Sequence, residues 1–206
     1  MIVKSVLLRL IIKLALLVSV VCVTPIALIR AQPYDDSELR AFLTPPEGCP
    51  APCFMGIRPG VTTTEEAIAI LEGHEWVQEI KVATDKSLIW IEWNALTPLS
   101  IDQLHPYPYS SYVYNLDKVV RVVNIKTPYP VGAIYLLDGQ PQATDSFVTM
   151  DGIVVSAYYF DSSIKVNSYF FGCPVTQVEF WNSEMYLIFS DLTGATGFSD
   201  INSACW

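Results

Sequence analysis

The sequence predicts an α+β protein built of two tandem units, each a short helix packed on an antiparallel β-sheet. Short helical patterns alternate with runs of β-branched and aromatic residues. The connections between those runs are too short for the crossover helices that a parallel sheet requires. In addition, part of the pattern recurs 66 residues later in the chain, and a recurrence at a fixed offset is typical of repeated structural units.

The first element is an export signal or a membrane anchor in residues 1–31. Basic residues come first, and a long apolar run follows that ends before the polar stretch opening at Arg30. This order is typical of a secretory signal, which cleavage after Ala31 would remove. The run at 5–29 could instead remain as an anchor across the membrane. Either way, the positive-inside rule predicts a protein that is secreted or anchored to the outer face of the cytoplasmic membrane.

The 175 residues that follow are strongly acidic. Eight basic residues against 21 acidic ones give this part of the chain a formal charge of −13. A surface of this charge repels phosphate backbones, and no basic stripe offsets the repulsion. We therefore expect no nucleic acid among the partners.

Residues 32–56 are predicted to be a proline-rich linker that ends in a cysteine turn. Four cysteines follow the export segment, namely Cys49, Cys53, Cys173 and Cys205. An even number outside the cytoplasm favours two disulfides, for which three connectivities exist. We predict the pairs Cys49–Cys53 and Cys173–Cys205, because prolines pre-bend the short loop of the first pair. A zinc site would need a second closely spaced pair, so we predict no metal and no cofactor.

The first unit is predicted over residues 57–126. Its helix covers about 64–72 and ends at Gly73 in a left-handed conformation. The two candidate capping boxes are Thr62 with Glu65 and, in the rival register, Thr63 with Glu66. Strands are expected at Leu88–Trp93, Tyr112–Tyr114 and Val119–Ile125, where β-branched and aromatic residues dominate.

The second unit is predicted over residues 127–206, with its last strand ending near 192 and a tail after it. The recurrence places the apolar run Ala133–Gly139 on Ala67–Gly73. It also places Met185–Phe189 on Val119–Val123 and Pro174 on Pro108. We therefore expect a second helix near 131–138, followed by antiparallel strands.

The opening of the first unit resembles that of two known families. Gly60-Val-Thr-x-x-Glu65, followed by an apolar helix and a glycine, resembles the start of the small outer-membrane assembly lipoproteins. It also resembles the units of the β-lactamase inhibitor proteins, which carry such a module twice, and Leu136-Leu-Asp-Gly-Gln-Pro141 is similar to the helix exit of that module. Some uncharacterised exported bacterial proteins likewise pair a Cys-Pro-rich turn with Gly-Ile-x-Pro-Gly-x-Thr. The inhibitor resemblance implies a curved sheet whose concave face grips a partner protein.

The sequence contains few residues suited to catalysis. Its two histidines are His74, predicted on the surface after a helix, and His105, predicted in a solvated loop. No nucleophile elbow, phosphate-binding loop or dinucleotide fingerprint is present in the sequence. These observations favour a protein that is not an enzyme.

Aromatic side chains are the best candidates for a binding site. Four tyrosines cluster around one proline-containing loop, namely Tyr107, Tyr109, Tyr112 and Tyr114. Trp90 and Trp93 are predicted on opposite faces of one strand, because their spacing is odd. Tyrosine and tryptophan dominate binding hot spots, although rings in these positions could instead pack the sheet.

The sequence therefore predicts an exported, non-catalytic binding module whose partner is a protein or a surface polymer. An exposed aromatic patch on the sheet would favour this function. The alternatives are a hydrolase whose carboxylates meet only in the folded chain, and an accessory protein of envelope assembly. A cleft with two facing carboxylates would favour the hydrolase.

Overall fold

The computed structural model describes residues 37–94, 97, 111–150, 152–161 and 163–190, together with a few helical residues between 12 and 24. The chain divides into two compact units, Met1–Asp35 and Asp36–Trp206. Among the described residues, no helix is both long and apolar enough to span a membrane. Most of the segment 5–29 lies outside the described residues, so the signal or anchor stays a prediction.

The described residues of the second unit form four helices and eight strands. The helices are α1 (Ser37–Leu43), α2 (Thr64–Glu72), α3 (Val131–Asp138) and α4 (Gln177–Asn182). The strands are β1 (Val77–Val82), β2 (Leu88–Trp93), β3 (Tyr112–Leu116), β4 (Val119–Pro130), β5 (Ala143–Thr149), β6 (Gly152–Tyr159), β7 (Ile164–Phe170) and β8 (Glu184–Ser190).

All eight strands belong to one antiparallel sheet, so the predicted α+β class is confirmed. The strand order is β1-β2-β3-β4-β8-β7-β6-β5. The first four strands and the last four strands each lie together, and β4 pairs with β8 between them. Every connection that the structure describes joins antiparallel neighbours or passes through a short helix, as the short spacings in the sequence require.

One face of the sheet packs against the helices and forms the core. Alternation in β2 places Ile89, Ile91 and Trp93 on this face, where all three are buried. Helix residues such as Leu71 of α2 and Ile134 of α3 are buried in the same apolar cluster. The other face carries no helix in the described part of the chain, and we call it the helix-free face.

Helix α2 begins and ends where the sequence predicts, but its caps differ from the prediction. The capping box is Thr63 with Glu66, whereas Thr62 accepts a hydrogen bond from the Arg58 amide at 2.8 Å. Gly73 has φ −85°, so the predicted left-handed ending is wrong. The Gly73 amide still reaches the Ala69 carbonyl, which closes the last turn without a left-handed residue.

The segment predicted as a linker, 32–56, contributes to the core. Helix α1 buries Leu39 and Phe42, and the turn after it buries Phe54. The rings of Phe42 and Phe54 lie 5.1 Å apart, centroid to centroid. The prolines obscured this role in the sequence, and the helix is so short that it buries only two apolar side chains, Leu39 and Phe42.

The predicted Cys49–Cys53 disulfide is present. Cys173 is also disulfide-bonded, and its partner lies outside the described residues. Its pairing with Cys205 stays a prediction.

The 66-residue recurrence matches the structure over the helix and the first two strands of each half. Helices α2 and α3 are both followed by antiparallel strands, as predicted. The constant offset fails at the third strand, where it would place β3 on α4. It holds again at the last strand, where it places Val119–Val123 of β4 on Met185–Phe189 of β8, as predicted. The longest connection lies between β2 and β3 in the first half, but between β7 and β8 in the second. The predicted unit boundary at 126/127 also falls inside β4, since that strand continues to Pro130.

Candidate binding face

Aromatic and apolar side chains lie next to one another on the helix-free face of the first half. The register pairs Trp90 of β2 with Tyr112 of β3, and Leu88 with Tyr114. Directly opposed residues in neighbouring strands bring their side chains into contact range. The face therefore presents one indole, two phenols and an aliphatic chain as a continuous group, which we call the aromatic patch.

The two strand tyrosines of the predicted site differ in environment. Tyr112 is half-buried, and burial raises the pKa of its hydroxyl, with a further contribution from the nearby Tyr169 of β7. Tyr114 is 36% exposed and stands opposite Val122 of β4. Tyr107 and Tyr109 lie outside the described residues. The structure thus brings together two of the four predicted tyrosines, and adds Trp90 to them.

Charged residues lie on two sides of the aromatic patch, and the first group lies toward the β1 edge of the sheet. Lys81 of β1 forms an ion pair with Glu92 of β2. Glu79 lies opposite Glu92 in the register of the same two strands. At the other side, Lys126 of β4 lies 3.2 Å from a carboxylate oxygen of Glu184 in β8. An apolar centre with a charged rim is the usual composition of a protein-binding surface.

The second half carries a different group on the same face. Ser156 of β6 donates a hydrogen bond to the Asn167 side chain of β7 at 2.9 Å, and both residues are buried. The rings of Tyr169 and Tyr186 meet edge to face with centroids 5.0 Å apart. Lys165 lies 5.3 Å above the ring of Tyr158, a cation–π arrangement. These residues were not predicted as a site, although Lys165, Asn167 and Tyr169 alternate along β7 and therefore share one face.

Trp90 and Trp93 lie on opposite faces of β2, as predicted. Trp93 is buried in the core, and its indole N–H donates to the Ser111 hydroxyl at 3.0 Å. Its ring packs against Phe42 and Phe54. Trp90 is half-buried on the helix-free face, so only Trp90 is available to the aromatic patch.

His74 has a structural role that its position in the sequence did not predict. Its Nδ1 atom accepts a hydrogen bond from the Trp76 amide at 3.2 Å, and the two rings lie edge to face at 4.9 Å. Burial lowers the pKa of His74, and the neighbouring Glu75 carboxylate partly offsets this effect. The imidazole is therefore held neutral as a hydrogen-bond acceptor. His105 lies outside the described residues.

A cavity of about 410 Å³ lies where the start of α2 meets the β1–β2 and β3–β4 turns. Three carboxylates line it, those of Glu65, Asp85 and Asp117, and the first two are engaged locally. Glu65 lies 3.5 Å from the Lys86 ammonium, and Asp85 accepts hydrogen bonds from the Ser87 amide and hydroxyl. Within the described residues, no three side chains of the metal-ligating types come together. Nothing in this cavity favours the hydrolase alternative.

The sequence matches no protein-family model, and the comparisons with curated proteins and with solved structures find no match either. The resemblances to the inhibitor proteins and the assembly lipoproteins therefore stay predictions.

Proposed function

We propose that the protein is a non-catalytic binding module that acts outside the cytoplasmic membrane and holds a protein partner on the aromatic patch. The observation that carries this proposal is the pairing of Trp90 with Tyr112 and of Leu88 with Tyr114 on the helix-free face. Rings held by strands lose little conformational freedom when a partner docks, so their contact area contributes efficiently to affinity.

The charge of the chain favours a partner of particular chemistry. The part after residue 31 has a formal charge of −13, which attracts basic surfaces and repels acidic ones before contact. We therefore propose a protein partner with an apolar contact surface surrounded by basic residues. The patch would supply the affinity, whereas the net charge would mainly raise the association rate.

The test is affinity capture with the whole protein, with variants of the patch compared against matched variants elsewhere. Trp90→Ala and Tyr114→Ala remove rings from the patch, whereas Leu136→Ala and Val178→Ala remove apolar groups that are 65% and 71% exposed on the helices. We expect the patch variants to lose affinity by roughly 30-fold, the value of a hot-spot residue. The helix variants should keep it.

Two results would contradict the proposed function. In the first, the patch variants remain folded and retain the partner with wild-type affinity. In the second, loss of binding appears in the helix variants instead. Thermal melting of all four variants separates a binding defect from unfolding.

We also propose that the two halves are tandem units of common design. The offset of 66 residues relates three buried pairs in β2 and β6, namely Ile89 with Val155, Ile91 with Ala157, and Trp93 with Tyr159. Each half also has the element order helix then four strands, apart from the inserted α4. An experimental structure in which residues 64–93 and 130–159 do not superpose would contradict this proposal.

A further inference from the structure

Three large apolar side chains are strongly exposed at one end of the sheet. Val148, Met150 and Phe171 are 66%, 104% and 91% exposed. Val148 lies near the end of β5, Met150 lies in the turn after it, and Phe171 follows the end of β7. We call these three residues the apolar tip. Exposed apolar groups that lie together mark a contact with a protein or a membrane.

Backbone contacts bring the two segments of the apolar tip together. Thr149 pairs with Gly152 across the β5–β6 turn, and Ile153 pairs with Phe170 of β7. A Cβ atom built at Gly152 would lie 2.1 Å from the Phe170 carbonyl oxygen and 3.4 Å from the Phe171 Cα atom. The Thr149 hydroxyl also donates a hydrogen bond to the Gly152 carbonyl at 3.1 Å, which braces the turn. The apolar tip is therefore one surface and not two separate loops.

The composition of the two segments suits a lipid surface. Of the ten residues in 147–152 and 169–172, only Asp151 is charged, and its placement lies outside the described residues. The opposite end of the sheet carries several charged side chains, such as Lys86 and Asp117 at the cavity. A carboxylate is costly in the hydrocarbon core, so we expect the tip to reach the headgroup boundary and not the bilayer centre.

The folded unit begins at the same end of the sheet as the apolar tip. Strands β7 and β8 are antiparallel neighbours, so the end of β7 lies beside the start of β8. Pro130 at the end of β4 pairs with Glu184 at the start of β8. The Tyr129 hydroxyl donates a hydrogen bond to the Glu38 carboxylate at 3.1 Å, which holds the first turn of α1 at this end. β4 and β6 lie three strand spacings apart, or about 15 Å.

This position favours a membrane as the surface that the apolar tip contacts. The apolar run of the sequence ends at Ile29, and α1 begins eight residues later at Ser37. Eight residues extend to roughly 27 Å at most. An anchor retained at 5–29 therefore tethers this end of the sheet close to the bilayer. Tethering makes the contact with lipid intramolecular, so a small apolar surface is sufficient to hold it.

We propose that the apolar tip inserts Val148, Met150 and Phe171 into the headgroup region of the outer leaflet of the cytoplasmic membrane. The tip is then a second membrane contact, besides the predicted anchor. The lipid is zwitterionic, because the formal charge of −13 after residue 31 repels anionic headgroups. This inference does not depend on the proposed binding function.

The first test places an environment-sensitive fluorescent amino acid at position 150 of the full chain. The chain is reconstituted with vesicles of phosphatidylcholine, part of which carries a nitroxide quencher at the top of its acyl chain. We expect several-fold stronger quenching at position 150 than at position 116. Leu116 is the matched control, since it is apolar, 49% exposed and at the opposite end of the sheet. Equal quenching at the two positions, or quenching at neither, would overturn the proposal.

The second test determines whether the side chains of the tip make the contact. With the probe at position 148, Met150→Ser combined with Phe171→Ser should lower the quenching several-fold. Leu116→Ser is the control and should leave the quenching unchanged. Unchanged quenching in the folded double variant would contradict insertion of the tip. Should the double variant unfold, the probe at position 150 of the otherwise unaltered chain still decides the question.

A third test distinguishes lipid from protein at the apolar tip. A benzophenone amino acid at position 150, in the same vesicles without nitroxide, should form crosslinks to phosphatidylcholine. Crosslinks to the captured partner protein, or to a second copy of the chain, would show that the tip is a protein contact and would overturn the proposal. The proposed binding function is tested separately from the aromatic patch, so either proposal can fail without the other.

Discussion

Val123 and Phe189 lie directly opposite each other where β4 pairs with β8, and their residue numbers differ by 66. Both side chains are buried on the helix side of the sheet. A two-fold axis through this pair would exchange the last strand of one half with the last strand of the other. The proposed tandem units would therefore meet where β4 pairs with β8, in the middle of the eight-stranded sheet.

The packing of α3 on α4 depends on Gly132. A Cβ atom built there would lie 2.6 Å from the Trp181 ring and 3.1 Å from its carbonyl oxygen. Gly132→Ala must separate the two helices, and we expect the free energy of unfolding to fall by about 1–3 kcal/mol. Urea denaturation measures this change. Gly172→Ala is the control, since nothing lies within 4 Å of the position, and an equal loss there would refute the packing argument.

The capping box of α2 makes Thr63 the residue that starts this helix. Its hydroxyl accepts a hydrogen bond from the Glu66 amide at 3.3 Å, while Glu66 accepts one from the Thr63 amide. We expect Thr63→Ala to lower the free energy of unfolding by about 1 kcal/mol. Thr63→Ser keeps the hydroxyl and should cost much less. Equal losses in the two variants would show that the hydroxyl does not cap the helix.

Stability should depend on pH through His74. Because burial lowers the pKa of His74, the unfolded state binds more protons between that pKa and the unperturbed value of about 6.5. The His74 contribution is therefore complete above about pH 6.5 and is lost as the pH falls through the folded pKa. Urea midpoints at several pH values should show this loss, and His74→Asn should remove the histidine-specific part of it. A profile unchanged by the substitution would contradict the assignment.

The loop tyrosines provide a separate prediction about binding. Replacing Tyr107 and Tyr109 together with alanine should weaken partner binding while leaving the melting temperature nearly unchanged. We expect this because the prolines beside these tyrosines in the sequence restrict the backbone, which would lower the entropic cost of docking the rings. Loss of either histidine should leave binding intact. A fall of many degrees in the double variant would show that these rings pack the core instead.

Local patterns in the sequence were sufficient for part of the fold. The bounds of α2 could be predicted because a capping residue, an apolar stripe and a terminal glycine all act within one helix. The alternation in β2 likewise separated Trp90 from Trp93 correctly. Those features depend on neighbours within a few residues, which the sequence displays directly.

Long-range pairing could not be predicted in the same way. The register that places Trp90 beside Tyr112 depends on which strands meet across a connection of 18 residues. The burial of Leu39 and Phe42 depends on α1 packing against distant strands. Thr63 caps α2 rather than Thr62, because the Thr62 side chain is buried and accepts a hydrogen bond from the Arg58 amide. Tertiary contacts determine which residue caps the helix and which strands pair, and local sequence propensities carry no information about those contacts.

The most direct test of the proposed binding function is site-specific photo-crosslinking from the aromatic patch. A benzophenone amino acid placed at position 114 should form a crosslink to the captured partner protein. The same probe at position 178, which is more exposed and lies on α4, should form none. Crosslinks from 178 but not from 114, in chains that remain folded, would contradict the proposal that the helix-free face binds the partner.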